Sequence, residues 1–321
     1  MEKKLYPMQL KGALKDYIWG GQKLKSVFKK QTPLEQVAES WEVSDRKEGE
    51  SIIENGLYQG HSLKEVVKLL GKDLIGRRSK EFPLLIKLID ANDTLSVQVH
   101  PDDAKAKQLQ AQPKNEGWVI LDALPKSALF LGVLEGVDKD QIGKAIGQGY
   151  LENILRKCNV KKHEAVFVKA GTLHAIGKGC LILEVQQNSN TTYRVYDWGR
   201  KGKDGQPRPL HIDESMECLD IESRPILQKP EKIEQIEENE RYLVLETPYF
   251  IIEKWVVKDE VEIPHSSHSF EVFFTLEGQG TLIAGELVPM EFGKTILVPA
   301  KIKKIRLKAK SHLAVFRIYL P

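Results

Sequence analysis

The sequence predicts a mainly β protein, built as two jelly-roll barrels with a few short helices. Three observations carry this expectation. Short runs of alternating apolar and polar residues recur along the chain between turn residues, the pattern of a sandwich or barrel. Helical spacing of apolar residues is scarce. The turn at Lys169-Ala170-Gly171 returns weakly late in the chain, where Glu271, Gly278, Gly280, Gly293 and Pro299-Ala300 follow one another; this suggests a second barrel after the first. Two unrelated sandwiches are the alternative.

Taken in order, His61–Ile75 (HSLKEVVKLLGKDLI) has apolar residues at helical spacing. Asp102–Gln110 opens with two carboxylates after a proline, which suits a helix N-terminus. Val137–Lys157 reads as one or two helices interrupted at Gly147 and Gly149. Strands are expected at Ala165–Lys169, Leu181–Gln187, Thr192–Tyr196, Tyr249–Val257, Glu271–Leu276, Thr295–Val298 and Ala314–Tyr319. The charged stretch Gln228–Arg241 (QKPEKIEQIEENER) separates two strand-rich regions and reads as a linker or the lip of a domain. The expected division is a catalytic domain with short helices over residues 1–230 and a second barrel without a metal site over 231–321.

The chain of 321 residues has room for two domains, and 41% hydrophobic residues can fill their cores. Its 48 basic and 45 acidic residues leave a net charge of +3, so nothing in the overall charge favours nucleic acid or a membrane surface as a partner. No apolar run approaches the ~18 residues of a transmembrane helix, and MEKKLYPMQLKG has no apolar segment of the secretory kind. Cys158, Cys180 and Cys218 are odd in number and lack CxxC spacing, which fits reduced, buried thiols in a cytoplasm.

The chemistry concentrates in Leu95-Ser96-Val97-Gln98-Val99-His100-Pro101. Alternation along a strand puts Ser96, Gln98 and His100 on one face and Val97 and Val99 on the other. A hydroxyl, an amide and an imidazole suit the wall of a polar ligand site. Glu116, in PKNEGW, and His174, in VKAGTLHAIG, are the further candidate ligands. The latter segment resembles the second motif of cupin barrels, with Lys169 where proline is common. A single histidine is more often a hydrogen-bonded structural residue. Two neutral imidazoles, a carboxylate and an amide oxygen together suit a divalent metal of the zinc type, with a coordination position left open.

These segments resemble a known family. YIWGG (17–21), AESWE (38–42), PLLIK (83–87), LSVQVHP (95–101), AGTLHA (170–175) and QQNSNTTYR (186–194), in this order, are similar to type I mannose-6-phosphate isomerases in their short bacterial form. The resemblance implies two cupin barrels and a zinc enzyme that interconverts mannose 6-phosphate and fructose 6-phosphate. It implies one Zn²⁺ per chain on Gln98, His100, Glu116 and His174. It also implies Lys87, Lys114 and Arg194 as cationic catalytic residues, Ser96 near the phosphate or sugar, and Trp19 near the pocket rim. The expected partner is a small sugar phosphate, and the chain is expected to be a monomer or homodimer. Many relatives carry Asp where this chain has Asn190. An amide takes no proton at neutral pH, so the base must be another group; Asn190 is retained as a substrate contact.

Moving a carbonyl between C1 and C2 requires removing a proton beside a carbonyl and stabilising the enediolate that forms. Arg194, a fixed donor fork, suits the negative charge, and the base is either Lys114 or a zinc-bound water. Phosphate draws on arginine and lysine. Arg194, Arg200 and Arg208 cluster in and after YRVYDWGRKGKDGQPRP, where Lys201 and Lys203 read as a solvated basic loop. An unpaired Lys87 in the apolar run FPLLIKLI would be costly, so it is expected to face the pocket. In the second barrel His265, His268 and Glu271 resemble a degenerate metal motif, but Lys304 takes the place that matches His174. A metal-containing two-barrel protein that binds a sugar phosphate without turnover is the competing reading, and a cupin dioxygenase is a third.

Overall fold

Alternation of side chains decides how three antiparallel sheets stack. In the computed structural model, which describes residues 2–77, 81–202 and 204–321, the first sheet has six strands, the second five and the third ten. Lys203 lies outside the described residues. The six-stranded sheet runs Ala165–Val168, Glu116–Ala123, Cys180–Gln187, Leu84–Asp90, Glu39–Val43, Ala13–Lys15. Along its strand Leu84–Asp90, Leu84, Ile86 and Leu88 point to one side and Lys87 and Ile89 to the other. The first side packs on the ten-stranded sheet, with Phe274, Leu297, Phe316 and the amphipathic helix Leu63–Leu70 in the shared core. The other side faces the five-stranded sheet, whose Leu129, Leu131 and Ile176 meet Trp118, Ile120 and Ile182.

The five-stranded sheet runs Tyr193–Tyr196, Val97–Val99, His174–Ile176, Ala128–Val133, Leu155–Asn159. Val97 and Val99 are buried in its outer core, under the helices Lys139–Gly147 and Ile212–Cys218. The opposite face of the same short strand is left for Gln98. The ten-stranded sheet folds over a core of its own, which holds Trp255, Phe273, Ile296, Leu307 and Val315. It also takes in the early strand Met8–Lys11, which pairs with Thr295–Val298 on one edge and with Ile52–Ile53 on the other.

Several elements depart from the sequence expectation. The helix expected over His61–Ile75 is two, Leu63–Leu70 and Lys72–Ile75, because Gly71 adopts φ +51° and ends the first. Ser62 opens it with a capping box to Glu65. The second half of Val137–Lys157 is a short 3-10 turn followed by the strand Leu155–Asn159. Gln228–Arg241 is no linker. It contributes the strand Glu231–Ile236 and the start of Asn239–Glu246, an antiparallel pair at the edge of the large sheet. Its charges are explained by that edge position, since strand Glu231–Ile236 is almost wholly exposed. Among the described residues, no helix is long and apolar enough to cross a membrane.

Candidate active site

Two cross-strand rows face each other between the six- and five-stranded sheets. Pairing sets Trp41 beside Lys87, Lys87 beside Glu184 and Glu184 beside Trp118 across the first sheet. It sets Arg194 beside Gln98 and Gln98 beside His174 across the second. The space between them is a cavity of about 250 Å³. Its walls include Trp19, Lys87, Ser96, Gln98, Lys114, Glu116, His174, Asn190, Arg194 and Arg208. Ten of the sequence candidates therefore meet in one place. His100 sits just behind this wall and is buried.

Among the described residues, His100, Glu116 and His174 bring ligand atoms within 4.8 Å of one another. Backbone contacts fix this convergence. The His100 carbonyl accepts from Gly171 N at 2.9 Å and the Pro101 carbonyl from Lys114 N at 3.1 Å. The Asn115 side chain accepts from Ala170 N at 2.8 Å. The three chain segments are thus tied together at the residues next to the ligands.

The donor set fits a divalent cation. Neither oxygen of Glu116 makes a well-directed hydrogen bond, although both are buried. His174 turns Nδ1 to the Thr172 carbonyl at 2.8 Å; a carbonyl only accepts, so Nδ1 carries the proton and Nε2 keeps a lone pair for a metal. That Nε2 is 3.1 Å from Glu116 Oε1. Burial, then the positive charge of Lys114, pushes His100 down to about 3. It is therefore neutral, the form that ligates. Burial pushes the Glu116 carboxyl up, but Lys114, His100 and His174 outweigh it and hold it well below the usual range. Gln98 donates Nε2 to Ser96 Oγ at 3.2 Å, which leaves its Oε1 for a cation.

The lysines are paired. Lys114 Nζ is 2.7 Å from Glu116 and 3.1 Å from His100 Nε2. Lys87 faces the cavity as expected, but it is not unpaired. Its Nζ is 2.9 Å from Glu184 and 3.9 Å from Glu39. Burial works against the Lys87 cation, and Glu184 and Glu39 reverse that and raise its pKa above the ordinary value. Each carboxylate has an indole donor besides, Trp118 Nε1 to Glu184 at 3.0 Å and Trp41 Nε1 to Glu39 at 2.6 Å. Glu39 and Glu184 were missed as pocket residues. For Glu184 the signal was present, since it follows the apolar run Cys180–Leu183 within its strand; Glu39 opens the strand ESWEV, which has polar residues besides and gave no such signal.

Arg194 donates to Ser96 Oγ at 3.3 Å and to the Pro209 carbonyl at 2.9 Å. Among the described residues no carboxylate lies within ion-pair distance of it, and Asp197 acts on its charge only from farther off. Arg208, by contrast, forks onto Asp197, with contacts of 2.7 and 2.6 Å. Arg200, expected to contact substrate, does not line the cavity. Its guanidinium is taken by Asp197 at 2.7 Å, Asp93 at 3.3 Å and the Thr94 carbonyl at 2.5 Å. It braces the carboxylate that braces Arg208.

In the ten-stranded sheet the residues that resemble a metal motif are engaged otherwise. His265 Nδ1 is 2.6 Å from Glu271 and its Nε2 is 3.0 Å from the Ala300 carbonyl. Glu271 also accepts from Arg317 at 2.7 and 2.6 Å. His268 and Lys304 are exposed. Arg317 completes the cluster with Glu253 at 3.1 Å, so a guanidinium supplies the positive charge there.

Residues 8–117 match the catalytic domain of type I phosphomannose isomerase, and residues 239–318 the cupin domain of mannose-6-phosphate isomerase. A mannose-6-phosphate isomerase of Streptococcus mutans is 35% identical over 300 residues, which cover 92% of this chain and 93% of that protein. One from Bacillus subtilis is 34% identical over 313 residues, covering 96% and 98%. The crystal structure of the mannose 6-phosphate isomerase from Bacillus subtilis superposes with a TM-score of 0.88 at 31% identity, covering 97% of this chain and 99% of that one. With relatives matched end to end in sequence and in fold, the chain belongs to the type I phosphomannose isomerase family.

Proposed function

We propose that this chain interconverts mannose 6-phosphate and fructose 6-phosphate through an enediol, with one Zn²⁺ held by Gln98, His100, Glu116 and His174. One observation supports this most directly. The metal-fit triad, two paired lysines and an arginine without an ion-pair partner among the described residues line or border a single cavity. When bound, the cation polarises the sugar's carbonyl and hydroxyl oxygens as a Lewis acid.

The chain's own groups do the rest. Arg194 offers a rigid fork to the oxygens on which enediolate charge grows. Its position beside Gln98 in the strand register puts it next to the ligand set. Lys114 is assigned to proton transfer between C1 and C2, because it lines the cavity and touches two of the ligands. Lys87 supplies a second N–H donor, held in one orientation by Glu184 and Glu39. Arg208 and Ser96 are assigned to the phosphate and sugar oxygens, and Arg200 to holding Asp197 in place. Trp19 and Trp118 give the cavity apolar walls that exclude water from the reacting carbons.

The test is a coupled assay from fructose 6-phosphate to mannose 6-phosphate, run beside a metal analysis of the same preparation. Turnover that tracks zinc content supports the proposal. Tight sugar-phosphate binding without turnover in zinc-replete protein overturns it in favour of a non-catalytic binding protein.

A further inference from the structure

Tyr17 stands at the mouth of the cavity, among its lining residues. Its loop is pinned from two sides. The Tyr17 carbonyl accepts from Gly20 N at 2.9 Å and from Gln36 Nε2 at 2.8 Å. Gly20 lies so close to Ala38 that a Cβ there would come within 2.7 Å of the Ala38 Cα, an approach that only glycine permits. The Tyr17 ring leans on Trp19, with centroids 5.7 Å apart and planes tilted by 33°. Trp19 is itself buried in the core between the two sheets. Tyr17 and Arg208 also line an outer hollow, together with Asp16, Ile18, Gly202 and Asp204. Among the described residues, these two are common to both spaces.

Tyr17 is 40% exposed, yet burial is the main cause that pushes its phenol up to about 12, and the charge of Glu39 comes next. The outer face of the ring therefore meets solvent, and the hydroxyl end is enclosed on the side of Glu39 and Lys87, both of which line the cavity. The phenol keeps its proton at neutral pH and can both donate and accept. An enclosed tyrosine hydroxyl ordinarily finds a partner. Among the described residues this one has no hydrogen-bond partner within the protein; the bonds of Tyr17 are those of its backbone. We infer that Tyr17 is a specificity-determining residue of this cavity: its hydroxyl hydrogen-bonds the bound sugar phosphate, and its ring ends the cavity on the Arg208 side, which limits the length of the sugar chain. The inference rests on the sugar-phosphate reading above and adds a size limit to it.

The limit follows from where the two ends of the sugar sit. With the reacting carbons at the ligand triad and the phosphate at Arg208, an extra CHOH group carries the phosphate outward, against the phenol ring. The cavity holds about 250 Å³, below the ~300–1,000 Å³ common for ligand sites, so little slack exists elsewhere. On the other side of the ring the outer hollow receives the added length once the ring is gone.

The experiment compares zinc-loaded wild type, Tyr17→Phe and Tyr17→Ala on two ketose phosphates, fructose 6-phosphate and sedoheptulose 7-phosphate. The second keeps the fructose configuration at C3 to C5 and adds one carbon before the phosphate. Proton NMR of the anomeric hydrogen of the aldose formed follows both reactions. Tyr17→Phe keeps the ring and loses one neutral hydrogen bond. Its KM for fructose 6-phosphate rises about three- to tenfold with kcat little changed, and its preference between the two sugars stays within about threefold of wild type. Tyr17→Ala opens the cavity, and its kcat/KM for the seven-carbon ketose relative to the six-carbon one rises about tenfold or more over the wild-type ratio. A wild-type KM for Tyr17→Phe, or a Tyr17→Ala ratio no higher than that of wild type, overturns the inference. Absence of fructose 6-phosphate turnover in the wild type overturns the isomerase reading instead, and calorimetric affinities of the same proteins for the two phosphates then judge Tyr17 on the same comparisons.

Discussion

Lys87→Met tests the buried charge triad that lines the cavity. Methionine keeps most of the apolar stem and removes only the ammonium. In the wild type that ammonium is 2.9 Å from Glu184 and 3.9 Å from Glu39. At an effective dielectric of ~20, each attraction is about 4–6 kcal/mol before desolvation. Desolvating three buried charges offsets much of this, and removing one partner of such a cluster costs about 3–5 kcal/mol net, because the others stay buried without compensation. In the variant Glu39 and Glu184 keep only their indole donors, Trp41 and Trp118. Urea unfolding near pH ~7, followed by tryptophan fluorescence, measures the loss. The double variant Lys87→Met/Glu184→Gln removes one of the two stranded charges and recovers most of the loss. A single variant that unfolds at the wild-type urea midpoint near pH 7, or a double variant no more stable than the single, would refute this account of the triad.

Glu116→Ala or His174→Ala removes both metal retention and turnover; full activity with stoichiometric zinc in either would falsify the ligand assignment. Arg194→Ala keeps its metal but loses about 10²- to 10³-fold in turnover, the loss typical of a deleted charge-stabilising donor; a wild-type rate would remove it from the mechanism. In the ten-stranded sheet, burial works against the Glu253 anion, while Arg241, Arg317, Tyr319 and Trp255 outweigh it and depress its pKa. Its contribution is present above the ordinary carboxyl value of 4.5 and is lost as pH falls through the depressed one. Glu253→Gln therefore flattens the acid limb of a stability-against-pH curve and lowers stability near pH ~7; an unchanged acid limb contradicts this.

How much was legible in the sequence depended on burial. Strand Val97–Val99 was readable because one face is core and the other is cavity, so Val97 and Val99 alternate with Ser96, Gln98 and His100. Strand Leu84–Asp90 is buried on both faces and shows no such alternation, so its Lys87 looked like a lone charge in an apolar run. Its partners Glu39 and Glu184 lie on two other strands, and only the register joins them. Arg200 and Arg208 looked alike in sequence, and the position of Asp197 between them decides which reaches the cavity. The charged stretch 228–241 reads as a linker or the lip of a domain in sequence because an exposed edge strand has almost no apolar face to reveal it. The candidate metal ligands His100, Glu116 and His174, which the structure brings together, were legible from a strand motif, a turn motif and a family likeness that agreed.

The pairing of Met8–Lys11 with Thr295–Val298 has a consequence for biosynthesis. During translation the opening segment leaves the ribosome long before its partner strand exists. It can pair with Ile52–Ile53 early, but its other edge must wait while the long intervening chain is made. Pairings this distant along the chain are slow to form, and a waiting strand can find wrong partners. Closure of the large sheet across this pairing is therefore a late step of folding, and it is the step at which a chaperone would have the most to protect.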